Sequence, residues 1–342
     1  MSNLEILKHD ETGSILSRRR DKQQLVRHIL VCIDTADSAQ AMLAHAAAVA
    51  SATEARITVM RVLENASGKG PTDPVEWMLH HREVETSLRD CASRLGGYET
   101  ETAVVDGPVA DRICAFARDN AVDLTVLGGG RAGSRPFGGL GGTARRVAEG
   151  VDGSVLIVPS GDVGSATVHY KKVMMPLDGS SRSECALPLG LAIAAAHDAV
   201  IVLVHAAPNV DVTAAGPPDA ETTALRDRLR LRNERAAEQY LRQTRSRLPQ
   251  IPAAKIRVLP SGDPRHALAQ AAVEETAALV VLSPTGQGGH PDMPLGSVAE
   301  YLINHLNIPV LLARSRNGHW GIAQYSNPAD TSAGRLPGRA LM

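Results

Sequence analysis

Short apolar runs alternate along the chain with longer stretches whose apolar residues recur at helical spacing. The run 29–33 ("ILVCI") is nearly continuous in apolar character, the mark of a parallel strand buried on both faces. Ser38 is placed to cap a helix over the Ala-rich stretch that ends at Thr53. The same alternation predicts strands at 57–63, 100–105, 124–127 and 155–158, and helices at 74–95, 109–120 and 143–149. It then starts again: strands near 172–177, 200–205, 255–259, 279–282 and 309–313, with a long charged helix over 220–247.

The restart is a repeat. "HILVCIDTADSAQAML" (28–43) returns as "KKVMMPLDGSSRSECAL" (171–187). "DLTVLGGG" (123–130) returns as "ALVVLSPT" (278–285), and "GSVLIVPS" (153–160) as "NIPVLLARS" (307–315). The last two pairs share an offset of about 155 residues with no gap. Strands and helices in strict alternation imply an α/β fold, here two tandem copies of an open five-stranded parallel sheet, Rossmann-like and flanked by helices. The expected organisation is an N-terminal extension 1–27, a first domain 28–160, a linker 161–170, a second domain 171–315 and a mobile tail 316–342.

Composition narrows the class. Across 342 residues, 44% are apolar but 3% aromatic, so Ala, Val and Leu must fill the core. A net charge of −1 supplies no global field for nucleic acid or anionic lipid, and the basic run "RDRLRLRNER" reads as a solvated helix face. Cys32, Cys91, Cys114 and Cys185 lie far apart, without metal-type spacing, as expected of small buried side chains in a reducing compartment. The stretch "SRRRDK" lacks a following apolar segment, and the most apolar stretch is broken by His197 and Asp198. The expectation is a cytoplasmic protein with no membrane partner.

The candidate chemistry lies in "LSPTGQGGHPDMPLGSVAE" (282–300), where a strand gives way to bare backbone and then to a helix start. Gly286 and Gly296 let main-chain N–H groups approach a ligand closely, and Ser297 opens a helix whose N-terminus favours an anion. A surface loop capped by Ser297 is the plainer reading of the same residues. Asp178 ends the first strand of the second copy, where open α/β sheets bind ligands, and a carboxylate there can accept from an adenine amino group or a sugar hydroxyl. An Asx-type turn at "DGSS" is compatible with that role.

These stretches, with "PSGDPRHAL" and "IPVLLA", resemble the universal stress protein family, present here as a tandem pair over roughly 28–160 and 171–315. Its ATP-binding branch has Gly, two residues, Gly, nine residues, then Gly followed by Ser or Thr. Ser283, Gly286, Gly296 and Ser297 keep that spacing and replace the first Gly by Ser. The resemblance implies ATP as ligand, with Asp178 and the backbone at Ala206 facing adenine. Gly286 and Gly296 would then lie by the ribose and phosphates, and the Ser297 and Val298 amides on the phosphates. In the first copy the 155-residue offset puts Gly128, Arg131, Gly141 and Gly142 at those positions, with Asp34 and Val62 retained. An Arg at 131 either blocks the nucleotide or pairs with its phosphate. A register one residue later gives Gly129, Ala132, Gly142 and Thr143, and the sequence does not choose. The first site is expected to be weaker or altered.

"GGGRAG" (128–133) matches a dinucleotide fingerprint but opens no helix, and neither loop has a Walker-type GK[ST]. His80, His81, His197, His205, His266, His290 and His305 show no ligand-like pairing and read as surface or turn residues; His290, in the loop, has a phosphate contact as its alternative. Glu300, one turn into the phosphate-facing helix, is either a helix-surface Glu or a help to a Mg2+ bridging phosphates. No catalytic base or nucleophile is evident, so ATP hydrolysis would be slow and incidental. The expected function is a nucleotide-dependent stress-response regulator. Its rivals are an adenine-nucleotide hydrolase or adenylating enzyme, and a dimerisation adaptor with vestigial loops. Whether a cyclic nucleotide is preferred to ATP is open. The resemblance further implies that "VLIVPS" and "VLLARS" pair antiparallel within the chain as a pseudo-dimer. Two chains would join as a homodimer acting on a downstream protein.

Overall fold

A computed structural model describes residues 25–34, 36–64, 74–129, 140–159, 167–208, 219–248, 254–288 and 294–315. In the first half the strands are β1 (His28–Cys32), β2 (Arg56–Leu63), β3 (Thr100–Asp106), β4 (Leu124–Gly128) and β5 (Ser154–Val158). Its helices are α1 (Ala36–Thr53), α2 (Pro74–Ser93), α3 (Val109–Asp119) and α4 (Gly142–Gly150). The second half has β6 (Lys172–Pro176), β7 (Val200–Ala206), β8 (Ala254–Leu259), β9 (Leu279–Leu282) and β10 (Val310–Leu312). With them come α5 (Ser181–Glu184), α6 (Leu187–Ala196), α7 (Ala220–Arg247), α8 (Pro264–Glu274) and α9 (Ser297–His305).

The ten strands form one sheet in the order β3-β2-β1-β4-β5-β10-β9-β6-β7-β8. Within each half the pairings are parallel; at the centre β5 and β10 run antiparallel, with Leu156 opposite Leu311. Central strands such as β5 and β9 are buried along their whole length, the pattern of a sheet covered on both faces. One face packs against α1, α2, α6 and α7, and the other against α3, α4, α8 and α9. Local signals set several helix starts: Asp219 accepts from Thr222 N–H at 2.7 Å, and Asp263 accepts from Arg265 N–H at 2.9 Å with Pro264 at the first helical position. Helix α1 differs from expectation, since it begins at Ala36, ahead of Ser38, which is therefore not its cap.

The seam between the halves is more than two strands. Tyr170, at the end of the segment read as a linker, is fully buried with its hydroxyl 2.8 Å from His45 Nδ1. His197 Nε2 lies 2.8 Å from the Ala48 carbonyl oxygen, and its ring meets His169 edge-on. Arg314, just past β10, reaches into the first half and donates to the carbonyls of Ala148, Val151 and Gly153 at 2.6, 3.1 and 3.0 Å, around the end of α4. Burial lowers its pKa from the ordinary arginine value, against a smaller opposing pull from Asp152. The reading of His197 as a surface or turn residue therefore fails: like His28 and His45, it is buried by contacts distant in sequence.

Candidate functional site

In the second half, β6 is flanked by β7 on one side and β9 on the other, so the chain winds outward in both directions from the β6–β9 boundary. That is the topological switch point, where loops leaving the strand ends diverge and open a crevice. A cavity of about 530 Å³ lies there, and its lining includes Asp178, Ala206, Ser283, Gly286, Gly296, Ser297 and Val298. The seven second-copy residues expected to contact the nucleotide are thus brought together around one space.

Asp178 organises the cavity floor. Its Oδ1 accepts from Ser180 N–H at 2.9 Å and Ser180 Oγ at 2.6 Å, closing the Asx turn. Its Oδ2 accepts from Gln287 N–H at 2.6 Å, which ties the glycine loop to the end of β6. Burial works against the charge, but these donors outweigh it and hold the carboxyl below its ordinary pKa. A Cβ on Gly286 would meet Asp178 Oδ2 at 2.1 Å. Glycine is required at 286, then, by the approach of a protein carboxylate. The loop is fastened at its other end as well: Gly296 N–H donates to the Pro284 carbonyl at 2.7 Å, and Ser283 Oγ donates to the Thr285 carbonyl at 2.8 Å.

Helix α9 starts with Gly296 as its N-cap, at φ −77° and ψ 157°, and this cap makes no side-chain hydrogen bond. Ser297 is the first helical residue and exposed, so it is not the cap that the plainer reading made it. The first-turn N–H groups of such a helix carry the positive end of its dipole, and Ser297, Val298 and Ala299 line the cavity.

His205, which the sequence reads as a surface or turn residue, instead lies beside Ala206 at the end of β7 and also lines the cavity. Its Nδ1 is buried without a hydrogen-bond partner among the described residues, and its ring meets Tyr240 of α7 edge-on at 5.9 Å. Burial lowers its pKa, opposed by the Leu177 backbone and the Asp178 charge, which favours the neutral ring. Pro264 and Leu268 of α8 supply apolar wall. Glu300 is outside the lining: its carboxylate pairs with Arg145 of α4 at 3.0 Å, across the seam. His290 lies outside the described residues, and among those residues no cluster of three or more His, Cys, Asp or Glu suits a metal ion.

In the first half, Asp34 is exposed, Val62 and Gly128 are half-buried, and Arg131 lies outside the described residues. Gly141 is the N-cap of α4, at φ −63° and ψ 157°, matching Gly296, and Gly142 and Thr143 are exposed in its first turn. Helix geometry thus favours the unshifted 155-residue alignment. Gly128, the counterpart of Ser283, would carry a Cβ 3.4 Å from Met42 Sδ, an ordinary contact, while Arg131, the counterpart of Gly286, lies outside the described residues.

The four cysteines form no disulfide, and burial raises the thiol pKa of Cys32, Cys114 and Cys185, as fits inert packing residues. Among the described residues no helix is long and apolar enough to cross a membrane.

A family model described as the universal stress protein family matches the chain twice, over 26–159 and 169–314. A universal stress protein of Mycobacterium tuberculosis is 26% identical over 302 residues, 84% of this chain and 96% of that protein. One of Mycobacterium bovis is 27% identical over 195 residues, 57% of this chain and 63% of the relative, so that match spans less than two thirds of the relative's length. The crystal structure of a universal stress protein from Archaeoglobus fulgidus covers 85% of this chain and 97% of its own at a TM-score of 0.58 and 17% identity, a likeness of fold. Smaller portions, 40% and 39% of the chain, align at a TM-score of 0.29 with universal stress proteins crystallised with cAMP and with dAMP. On the double match of its family model, the chain belongs to the universal stress protein family.

Proposed function

We propose that the second half binds an adenine nucleotide, ATP by preference, and that the protein acts as a nucleotide-dependent regulator of a stress response. The observation that supports this reading is one cavity combining the clamped Asp178, the bare loop amides and the uncapped start of α9. Its volume suits a small molecule. On this reading the adenine lies toward Asp178, His205 and Ala206, where apolar wall from Leu268 and Pro264 meets polar edges. Asp178 Oδ2 retains acceptor capacity beyond the Gln287 bond. The phosphates lie toward Gly296, Ser297 and Val298, where N–H groups and the helix dipole offset negative charge. Any Mg2+ arrives with the phosphates and keeps mostly water ligands, since Glu300 is engaged by Arg145.

The first half has Arg131 where the second has Gly286, and on that difference in sequence weaker binding or none is assigned to it. Isothermal titration with ATP tests the whole proposal, alongside mass spectrometry of nucleotide that copurifies. One tight site per chain is the expected result. Two equal sites would overturn the ranking of the halves, and no binding at all would overturn the function.

A further inference from the structure

The cavity of the second half is walled on one side by the start of α8, where Pro264 enters the lining. The side chains around that proline are tied into a cluster. Asp263 caps the helix, and its carboxylate also accepts from the Arg265 side chain, with Nε 3.0 Å from Oδ1 and Nη2 2.7 Å from Oδ2. His266 Nδ1 lies 3.1 Å from the same Oδ2. The Arg265 guanidinium stands over the Tyr301 ring of α9, 5.9 Å from its centroid. That ring is held in turn by His305, stacked at 3.8 Å, and by His266, tilted at 4.8 Å. The hydrogen bonds from Arg265 keep the Asp263 carboxyl well below the usual carboxylate range, so both partners are charged.

Tyr301 is one helical turn beyond Ser297, so Arg265 stands where the starts of α8 and α9 converge on the mouth of the cavity. It is the only lysine or arginine on either helix. A guanidinium carries five N–H donors. The Asp263 contacts engage Nε and Nη2, and Nη1 has no partner among the described residues. The other charges near the mouth are engaged elsewhere: Asp178 by Ser180 and Gln287, and Glu300 by Arg145. Arg182 lies on α5, at the Asp178 end, and His290 and Asp292 lie outside the described residues. The first half has no such cluster. At the 155-residue offset, Pro108, Ala110 and Arg146 replace Asp263, Arg265 and Tyr301, and Arg146 pairs with Asp111 at 2.9 Å.

We propose that Arg265 is the residue by which the second half reads the outer phosphates of its ligand, with Asp263 and Tyr301 as positioning residues that aim the guanidinium. The inference rests on the adenine-nucleotide reading of the cavity. With adenine toward Asp178 and the first phosphate at the start of α9, a longer phosphate chain continues outward past Ser297 to Arg265, whose planar fork suits phosphate oxygens. A monophosphate or a cyclic phosphate ends short of it. The ligand class is therefore a nucleoside di- or triphosphate.

Calorimetry on the full-length protein with AMP, cAMP, ADP and ATP tests this. Wild type should bind ATP about tenfold tighter than AMP or cAMP, and Arg265→Gln should cost ATP about tenfold while AMP moves by less than about twofold. The single substitution also bares Asp263 to the phosphates, so Asp263→Asn combined with Arg265→Gln separates contact from shielding. Asparagine still caps α8, and ATP binding should stay weak. Recovery of wild-type ATP affinity in the double variant would make Arg265 a shield for Asp263 and overturn the proposal. An equal loss for AMP and ATP, the mark of a disturbed α8, or an unchanged ATP affinity would overturn it too. A wild type that binds AMP and ATP equally sinks this inference alone and leaves the adenine site standing, whereas one that binds neither takes down both.

Discussion

Asp178→Asn separates the loop clamp from mere packing, because it preserves shape while replacing one acceptor oxygen by a donor. With the remaining oxygen kept on Ser180, the new amide faces Gln287 N–H across a contact now 2.6 Å long. A hydrogen bond to a charged acceptor contributes about 1.5–3 kcal/mol, so the closed loop should lose roughly 10- to 150-fold in population. Gln287 is exposed, and its freed amide turns to water, which puts the loss near the lower end. ATP affinity by calorimetry should therefore fall about tenfold or more, while the melting temperature moves by no more than about 2–4 °C. The pH dependence carries a definite sign. The folded carboxyl titrates below its ordinary value, so its contribution is complete above the unfolded pKa of about 3.9 and disappears as pH falls through the lower folded value. The affinity gap between wild type and variant should be constant above about pH 5 and close below about pH 4. A variant that binds ATP as tightly as wild type at neutral pH would show that the clamp does not preorganise the site.

Gly286→Ala attacks the same contact sterically: a Cβ 2.1 Å from Asp178 Oδ2 must displace the loop, costing about 1–3 kcal/mol and most ATP binding, by urea titration and calorimetry. Arg314→Met removes three donors from carbonyls at the seam and should lower unfolding free energy by about 3 kcal/mol in urea, with ATP affinity changed less than in the Asp178 variant. Tyr170→Phe, losing one buried hydroxyl contact to His45, should cost about 1 kcal/mol in the same assay. Glu300→Gln should leave the Mg2+ dependence of ATP binding within about twofold and stability within about 0.5 kcal/mol, since its ion pair with Arg145 is solvent-exposed.

The duplication, the strands and the cavity-lining residues of the second half were legible because each is written locally. An apolar run such as 279–282 has no alternative to a buried strand, and the Gly286-to-Gly296 spacing survives any change of surroundings. What escaped the sequence depends on partners far along the chain. His205 enters the cavity wall beside a tyrosine 35 residues later on α7. Gly286 looked like bare backbone kept for a ligand, yet the atom nearest its absent Cβ belongs to Asp178, in a strand end more than a hundred residues earlier. Glu300 has the right place on its helix to face a phosphate-bound metal, but Arg145 of the other half turns it toward the seam. Tyr170 lies in a stretch without periodicity, and its burial comes from the meeting of α1 and α6.

Antiparallel pairing at the centre also limits how the two halves can influence each other. Because β5 and β10 run in opposite directions, the strand ends that carry Asp34 and Asp178 point to opposite edges of the sheet, and no single ligand can touch both. The helix whose N-terminus opens onto the cavity, α9, is nevertheless fastened to the first half. Glu300 pairs with Arg145, and Asn304 Oδ1 accepts from Leu140 N–H at 3.0 Å, just before α4. Anything that shifts α9 must therefore strain or release contacts next to the first-half loop. The strength of those contacts bounds the effect. An exposed ion pair contributes up to about 1 kcal/mol and a hydrogen bond a similar amount, so influence through this path reaches at most about 2 kcal/mol, or roughly 30-fold in affinity. A larger effect of one half on the other would have to travel through the buried seam of Tyr170, His45 and His197, where the groups are packed too tightly to yield by small increments.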